Sequence, residues 1–186
     1  MKNDILEGAD PYRQSSFSLA NRAARIAWNL VYILLFRFTP RLMYSWRAFL
    51  LRIFGAKIGK GCHVYPKSIV WAPWNLEMGD CSCIADEVLC YSMARIIIGE
   101  RSVISQGVRL YTGSHDYESP NFQLYAKPIT IGPNVWIAAE AFVMPGVTIS
   151  EGSVIGARSV VTHDMPAWTV CAGNPCKSIK QRQIKR

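Results

Sequence analysis

The stretch Ile131–Val161 reads IGPNVWIAAEAFVMPGVTISEGSVIGARSVV, with a branched aliphatic at every sixth position: Ile131, Ile137, Val143, Ile149, Ile155 and Val161. Neither a helix nor a strand has that period. A repeat of six is the sequence sign of a parallel β-helix. Three short strands with their corners make one triangular coil. One aliphatic from each six-residue unit points into the interior, where the next coil covers it.

The same rhythm runs upstream. Ile58, Val64 and Val70 make one set, Met78, Ile84 and Cys90 the next, then Ile98, Ile104 and Leu110. Successive sets start 20 residues apart, so these coils of 18 carry two extra residues at a corner. Gly59, Gly79, Gly99, Gly132 and Gly156 each follow a ladder residue, where a tight corner favours a residue without a side chain. The organisation expected is an amino-terminal arm with apolar helices over 1–55, a β-helix over 56–164, and a carboxy-terminal cap and basic tail over 165–186.

Residues 1 to about 17 are polar and read as an extended arm. Residues 18–54 read as one or two helices, with Ser18 as N-cap and Pro40 as a break. The purest apolar run, Ile26–Phe36, is far short of the ~20 residues a bilayer span needs. Trp28, Tyr32, Phe36, Trp46, Phe49 and Phe54 with flanking arginines read as amphipathic. They suit packing on the β-helix or a neighbouring subunit first, and, compatibly with that, contact with an inner membrane surface.

The net charge of +8, concentrated toward both ends, suits an anionic partner such as a nucleotide-like cofactor or a membrane surface. No interleaved aromatic and basic platform marks a nucleic-acid binder. The six scattered cysteines lack metal-ligand spacing and follow no secretory signal. They read as reduced, mostly buried thiols of a cytoplasmic protein, with no metal expected.

The long break in the ladder, 111–130, exceeds what a coil needs, and such loops are often functional. It opens with Tyr111-Thr112-Gly113-Ser114-His115-Asp116-Tyr117. His115 is the candidate general base, since an imidazole titrates near neutrality. A solvated or locally bonded loop histidine is the bland alternative. His63 and His163 fall within ordinary coils and read as structural.

Three stretches carry a resemblance: Ile131-Gly132-Pro133-Asn134-Val135-Trp136-Ile137, then Pro145-Gly146-Val147-Thr148-Ile149 with Val154-Ile155-Gly156-Ala157, and Ala172-Gly173-Asn174-Pro175-Cys176-Lys177. In these the chain resembles the hexapeptide-repeat acyltransferases. Trp71-Ala72-Pro73-Trp74-Asn75-Leu76-Glu77-Met78-Gly79 and Leu110–Asp116 resemble the colanic-acid, exopolysaccharide-type acetyltransferases within that superfamily. The likeness spans about Asn21 to Ile179.

It implies a mainly β protein, a left-handed parallel β-helix. It also implies a homotrimer with clefts between adjacent β-helices, and acetyl-CoA as donor. A sugar or glycan-precursor hydroxyl is the implied acceptor, with His115 as base and a backbone N–H stabilising the oxyanion. By aligned motif it implies Ala139, Ala157, Thr162, His163, Lys177 and Lys180 at the donor and Trp136 lining the cleft. Many sugar acetyltransferases carry an asparagine in the acceptor cleft; here the stretch reads Ala85-Asp86-Glu87. Asp86 is the first candidate for an acceptor or histidine-orienting carboxylate, and Glu87 the second. A lipid-linked acceptor would suit a cytoplasmic protein peripheral on the inner membrane face. The competing readings are a different small acceptor (serine, an amino sugar, a xenobiotic), a three-histidine metal enzyme, and a non-catalytic scaffold. The ligand count opposes the metal enzyme.

Overall fold

In the computed structural model of the chain, residue 5 and residues 10–184 are described. Residues 1–4 and 6–9 of the arm expected over 1–17 lie outside the described residues, as do Lys185 and Arg186 of the basic tail. Three sheets form the faces of a triangular prism. The first holds Lys57–Ile58, Leu76–Met78, Ile96–Ile98, Ile129–Ile131 and Thr148–Ile149. The second begins with His63–Val64, Cys83–Ile84, Val103–Ile104, Trp136–Ile137 and Val154–Ile155. The third holds Ile69–Val70, Leu89–Tyr91, Arg109–Tyr111, Phe142–Val143 and Val160–Val161. All pairings within these sets are parallel, and the coils wind left-handed.

The register is the one the ladder predicts. Ile58 pairs with Met78, Met78 with Ile98, Ile98 with Ile131, and Ile131 with Ile149. Every ladder side chain is buried. A second inward row, two residues before each ladder position, is mostly small: Ser68, Ser82, Ser102, Ser153 and Ser159 stand among Val, Ala and Cys, with Leu76, Ile96 and Ile129 the large members, all on the first face. The buried hydroxyls bond nearby carbonyls, as Ser82 Oγ does to Gly79 O at 2.7 Å. The extra residues of the longer coils fall between the third and first faces, where Pro73–Asn75 forms a single 3-10 turn.

The glycines after the ladder residues are required for a different reason than expected. None of the five has a positive φ. A Cβ on Gly99 would instead lie 2.4 Å from the backbone carbon of Gly132 on the next coil. Coil stacking, not turn conformation, excludes a side chain there.

Helix α1 (Leu19–Val31) starts at Ser18, whose Oγ accepts from Asn21 N–H at 3.2 Å, and continues into a π-turn at Tyr32–Phe36. Helix α2 (Tyr44–Ile53) follows Pro40. Together they close the amino-terminal end of the prism. Within the stack, each ladder carbonyl accepts from the preceding coil, as Met78 O does from Gly59 N. The first coil has no predecessor. Its three ladder carbonyls take side-chain donors: Arg52 on Ile58 O, Arg47 on Val64 O, and Trp28 on Val70 O. At the other end Thr169–Ala172 adds to the second face, and Lys177–Gln181 returns antiparallel against it.

The aromatic residues of the helices turn inward more than outward. Trp28 and Phe36 are buried, and Trp28 packs on Tyr32, Phe36 and Phe54. The outward stripe of α1 is aliphatic: Leu19, Ile26, Leu30 and Leu34 are all exposed. Among the described residues no helix is long and apolar enough to cross a membrane. All six cysteines are free and mostly buried, as expected; Cys83 is half-buried and Cys81 exposed. Burial pushes the Cys90 thiol up to about 12, which keeps it inert at neutral pH.

Candidate active site

The break in the ladder is an antiparallel hairpin at the corner between the third and first faces. Gly113–His115 pairs with Leu124–Ala126. Its base is fixed by Thr112, which is buried: Oγ1 donates to Tyr91 O at 2.7 Å and accepts from Ala94 N–H at 2.9 Å. Gly113 lies against Met93, where a Cβ would stand 2.3 Å from the sulfur. Leu124 is buried with Met93 and Ile5, beside Phe17, Trp71 and Tyr91. The hairpin therefore rests on an aromatic column outside the third face, in which Trp71, Tyr91, Tyr111 and Phe142 pack in sequence. Arg25 closes the column, its guanidinium 4.3 Å from the Trp71 ring centre.

His115 stands exposed at the end of the first hairpin strand. Its Nδ1 lies 2.7 Å from the carbonyl oxygen of Phe122. Phe122 holds a left-handed φ of 48°, which turns that carbonyl back toward the ring. A carbonyl only accepts, so a neutral ring carries its hydrogen on Nδ1 and leaves Nε2 with a free lone pair. That is the tautomer a base needs, held by local backbone.

The other candidates fall at two further places. Ala139 and Ala157 lie at the corner between the second and third faces. Asp86 and Glu87 occupy the same corner nearer the amino-terminal end. Asp86 Oδ1 accepts from Lys67 N–H at 3.0 Å, so within one chain the partner of His115 is a backbone carbonyl rather than this carboxylate. Trp136 is on the second face, half exposed, with Nε1 donating to Ser105 Oγ at 3.0 Å. Lys177 and Lys180 are exposed on the returning strand of that face. Thr162 and His163 stand at the corner of His115, two coils further on, with Thr162 Oγ1 2.8 Å from His163 Nδ1. A single chain thus divides the candidates between two corners of the prism and its second face. His63 stacks on Tyr44 with ring centres 4.3 Å apart, as a structural histidine would. Among the described residues no three His, Cys, Asp or Glu side chains gather to hold a metal.

Residues 128–163 match the family of bacterial transferase hexapeptide repeats. The chain is 48% identical over 155 residues, 83% of its length and 85% of the relative's, to the putative colanic acid biosynthesis acetyltransferase WcaF of Escherichia coli K12. A maltose O-acetyltransferase from Clostridium difficile 630 superposes with a TM-score of 0.82 at 30% identity, over 90% of each chain. A hexapeptide-repeat acetyltransferase of Vibrio cholerae, solved with acetyl coenzyme A, gives 0.82 at 26% identity over 90% of this chain and 91% of its own. The ladder, the hairpin and these likenesses agree: the chain belongs to the hexapeptide-repeat acetyltransferases.

Proposed function

We propose that the chain transfers acetyl from acetyl-CoA to a hydroxyl of a sugar in a glycan precursor, with His115 as general base. The observation that carries this reading is the Nδ1 contact to Phe122, which leaves Nε2 free to take a proton. The sugar hydroxyl loses its proton to Nε2 as its oxygen attacks the thioester carbonyl. The tetrahedral intermediate collapses, an ester forms, and the CoA thiolate leaves. The maltose and colanic-acid relatives support a sugar acceptor, and the acetyl-CoA complex supports the donor.

The split of candidates between two corners supports a composite site. Of the donor candidates, Ala139 and Ala157 (the donor wall) stand at a different corner from the base and Lys177 and Lys180 on the second face, while Thr162 and His163 share the corner of His115. Wall and base meet when the Ala139 corner of one chain faces the His115 corner of the next. Such a contact is head-to-tail, and three copies close it into a ring. Small residues at the wall let the donor's arm approach backbone, and the two lysines suit its phosphates.

The test is acetyl-CoA-dependent thiol release with a panel of sugars and glycan precursors; no release and no CoA binding would overturn the reading. Mixing subunits then probes the composite site. His115→Ala and Ala157→Glu chains, each inactive alone, are expected to recover roughly one quarter of wild-type activity when co-assembled at equal amounts. One in four interfaces then pairs an intact base with an intact wall. No recovery in mixed assemblies would place both groups on one chain.

A glycan precursor carried on lipid would bring the enzyme to a membrane face. The exposed stripe Leu19, Ile26, Leu30 and Leu34 with Arg22 and Arg37 beside it supports such contact. The protein is expected to sediment with vesicles containing anionic lipid, and the double variant Leu30→Glu, Leu34→Glu to remain in solution. Wild-type protein left in the supernatant would remove this part.

A further inference from the structure

A groove of about 380 Å³ opens on the third face near the amino-terminal end, lined by Tyr32, Arg37, Lys67, Ile69, Glu87 and Arg109. Its residues come from four separate places in the chain. Arg37 ends the amino-terminal helical segment. Lys67 lies in the corner of the first coil, Glu87 in that of the second, and Arg109 on the third-face strand of the third. The coils bring these together because Ile69 pairs with Leu89, and Leu89 with Arg109.

Three cations share this groove with one carboxylate. Among the described residues, none of Arg37, Lys67 and Arg109 makes an ion pair within 4 Å; the pairs that form are elsewhere, such as Lys57–Glu77 and Arg158–Glu140. Glu87 is likewise unpaired there, held off by the turn in which its N–H donates to Lys67 O at 3.3 Å. Three cations beside one carboxylate leave the groove with an excess of positive charge, which is relieved when an anion enters. Two guanidinium forks and an ammonium suit a group with several charged oxygens better than a single carboxylate. The volume lies within the range of pockets that hold small ligands. The groove lies in the first three coils, whereas Ala139 and Ala157 stand further along the stack and the two lysines at its far end. It opens at the amino-terminal part of their shared corner, beside the candidate acceptor carboxylates Asp86 and Glu87.

We infer that this groove binds the diphosphate of an activated glycan acceptor, so the substrate is a sugar carried on a diphosphate rather than a free sugar. The inference rests on the acetyl-transfer reading for the word acceptor, and on the groove alone for the diphosphate. Two carriers share this chemistry, a nucleoside and a polyisoprenyl lipid. Ile33, Leu34 and Phe38 are exposed on the same helical segment as Arg37, so an apolar carrier would find a surface beside the groove.

Calorimetry on the full chain saturated with CoA tests this, since CoA fills the other phosphate site. Inorganic pyrophosphate is expected to bind once per chain. Arg37→Gln, Lys67→Gln and Arg109→Gln are each expected to weaken it about tenfold, the loss of one charge-assisted bond. Lys60→Gln, exposed at another corner, is expected to leave it unchanged. Affinity should fall as salt is raised. Farnesyl diphosphate binding more tightly than pyrophosphate assigns the lipid carrier, and uridine diphosphate binding more tightly assigns the nucleoside; either supports the inference. No pyrophosphate binding, or wild-type affinity in all three variants, overturns it. A chain that binds no CoA fails the acetyl-transfer reading instead, and the same titration still decides the groove.

Discussion

Replacing His115 by alanine is expected to lower kcat for acetyl transfer by roughly 10²–10⁴-fold, the usual contribution of a placed general base. The KM for acetyl-CoA should change little, because the proposed donor wall is built from other residues. Folding should be unaffected. The imidazole is exposed, and its one hydrogen bond is to the Phe122 carbonyl within the same hairpin. The hairpin itself is held by Thr112 and by Leu124 packed on Met93, none of which the substitution touches. His115→Asn separates base chemistry from loop positioning. An asparagine amide can still donate to Phe122 O but cannot take a proton. Equal loss in both variants identifies the missing base, whereas an asparagine variant near wild type would mean that His115 only holds the loop. Near-full turnover by the alanine variant at normal assembly yield would sink the assignment. Steady-state kinetics with a thiol reagent, beside thermal melts of each variant, reads every outcome.

The β-helix was legible because its period is a direct consequence of geometry. A narrow interior demands a buried apolar side chain every six residues, and fifteen such positions from Ile58 to Val161 pair in the register their spacing dictates. The break at 111–130 was legible as an interruption, and His115 as its one histidine. The hairpin was not, since its pairing depends on Met93 and Tyr91, supplied by an earlier coil. Nor was the Phe122 carbonyl, whose direction comes from a left-handed φ at a residue that rarely adopts one. The helices defeated the pattern for another reason. Positions 28, 32 and 36 lie on one face and 19, 26, 30 and 34 on the other, and both faces are apolar. Hydrophobicity alone cannot choose between them. The aromatic face won because the Trp28 indole reaches Val70 O at 2.7 Å, a bond no aliphatic can make. The cationic groove was hidden for the simplest reason: its charges are far apart in the chain and meet only once three coils have stacked.

Arg47→Met is expected to be the most damaging single change outside the ladder. The guanidinium is fully buried and donates four bonds: Nε to Val64 O at 2.6 Å, Nη1 to Thr39 Oγ1 at 2.7 Å and to Pro40 O at 2.9 Å, and Nη2 to Arg41 O at 2.5 Å. Burial pulls its pKa below the ordinary arginine value, the mark of a cation held away from water. Methionine keeps much of the volume and removes every donor. Buried acceptors left unmade cost about 1–3 kcal/mol each, and partial access of water to the outer ones offsets some of that, so a net loss of about 4 kcal/mol is expected. Arg47→Lys should recover little, because one ammonium cannot reach both the first coil and the turn at Thr39–Arg41. The other two caps set the scale. Trp28→Phe loses one bond to Val70 O and keeps its ring packing, so about 1–2 kcal/mol is expected. Arg52 is exposed, and Arg52→Met should cost less again. Urea unfolding at one fixed chain concentration gives the order, since assembly adds to apparent stability. Arg47→Met within about 1 kcal/mol of wild type would show that water, not the guanidinium, satisfies Val64 O. The order matters because a solenoid is stabilised by neighbour contacts and its ends have only one neighbour. The first coil has no strand above it, and Arg47 supplies the bond that a preceding coil would have made. Without it, opening begins at the edge on which Lys67 and the amino-terminal helices sit, and the groove should lose its shape before the hairpin of His115 does.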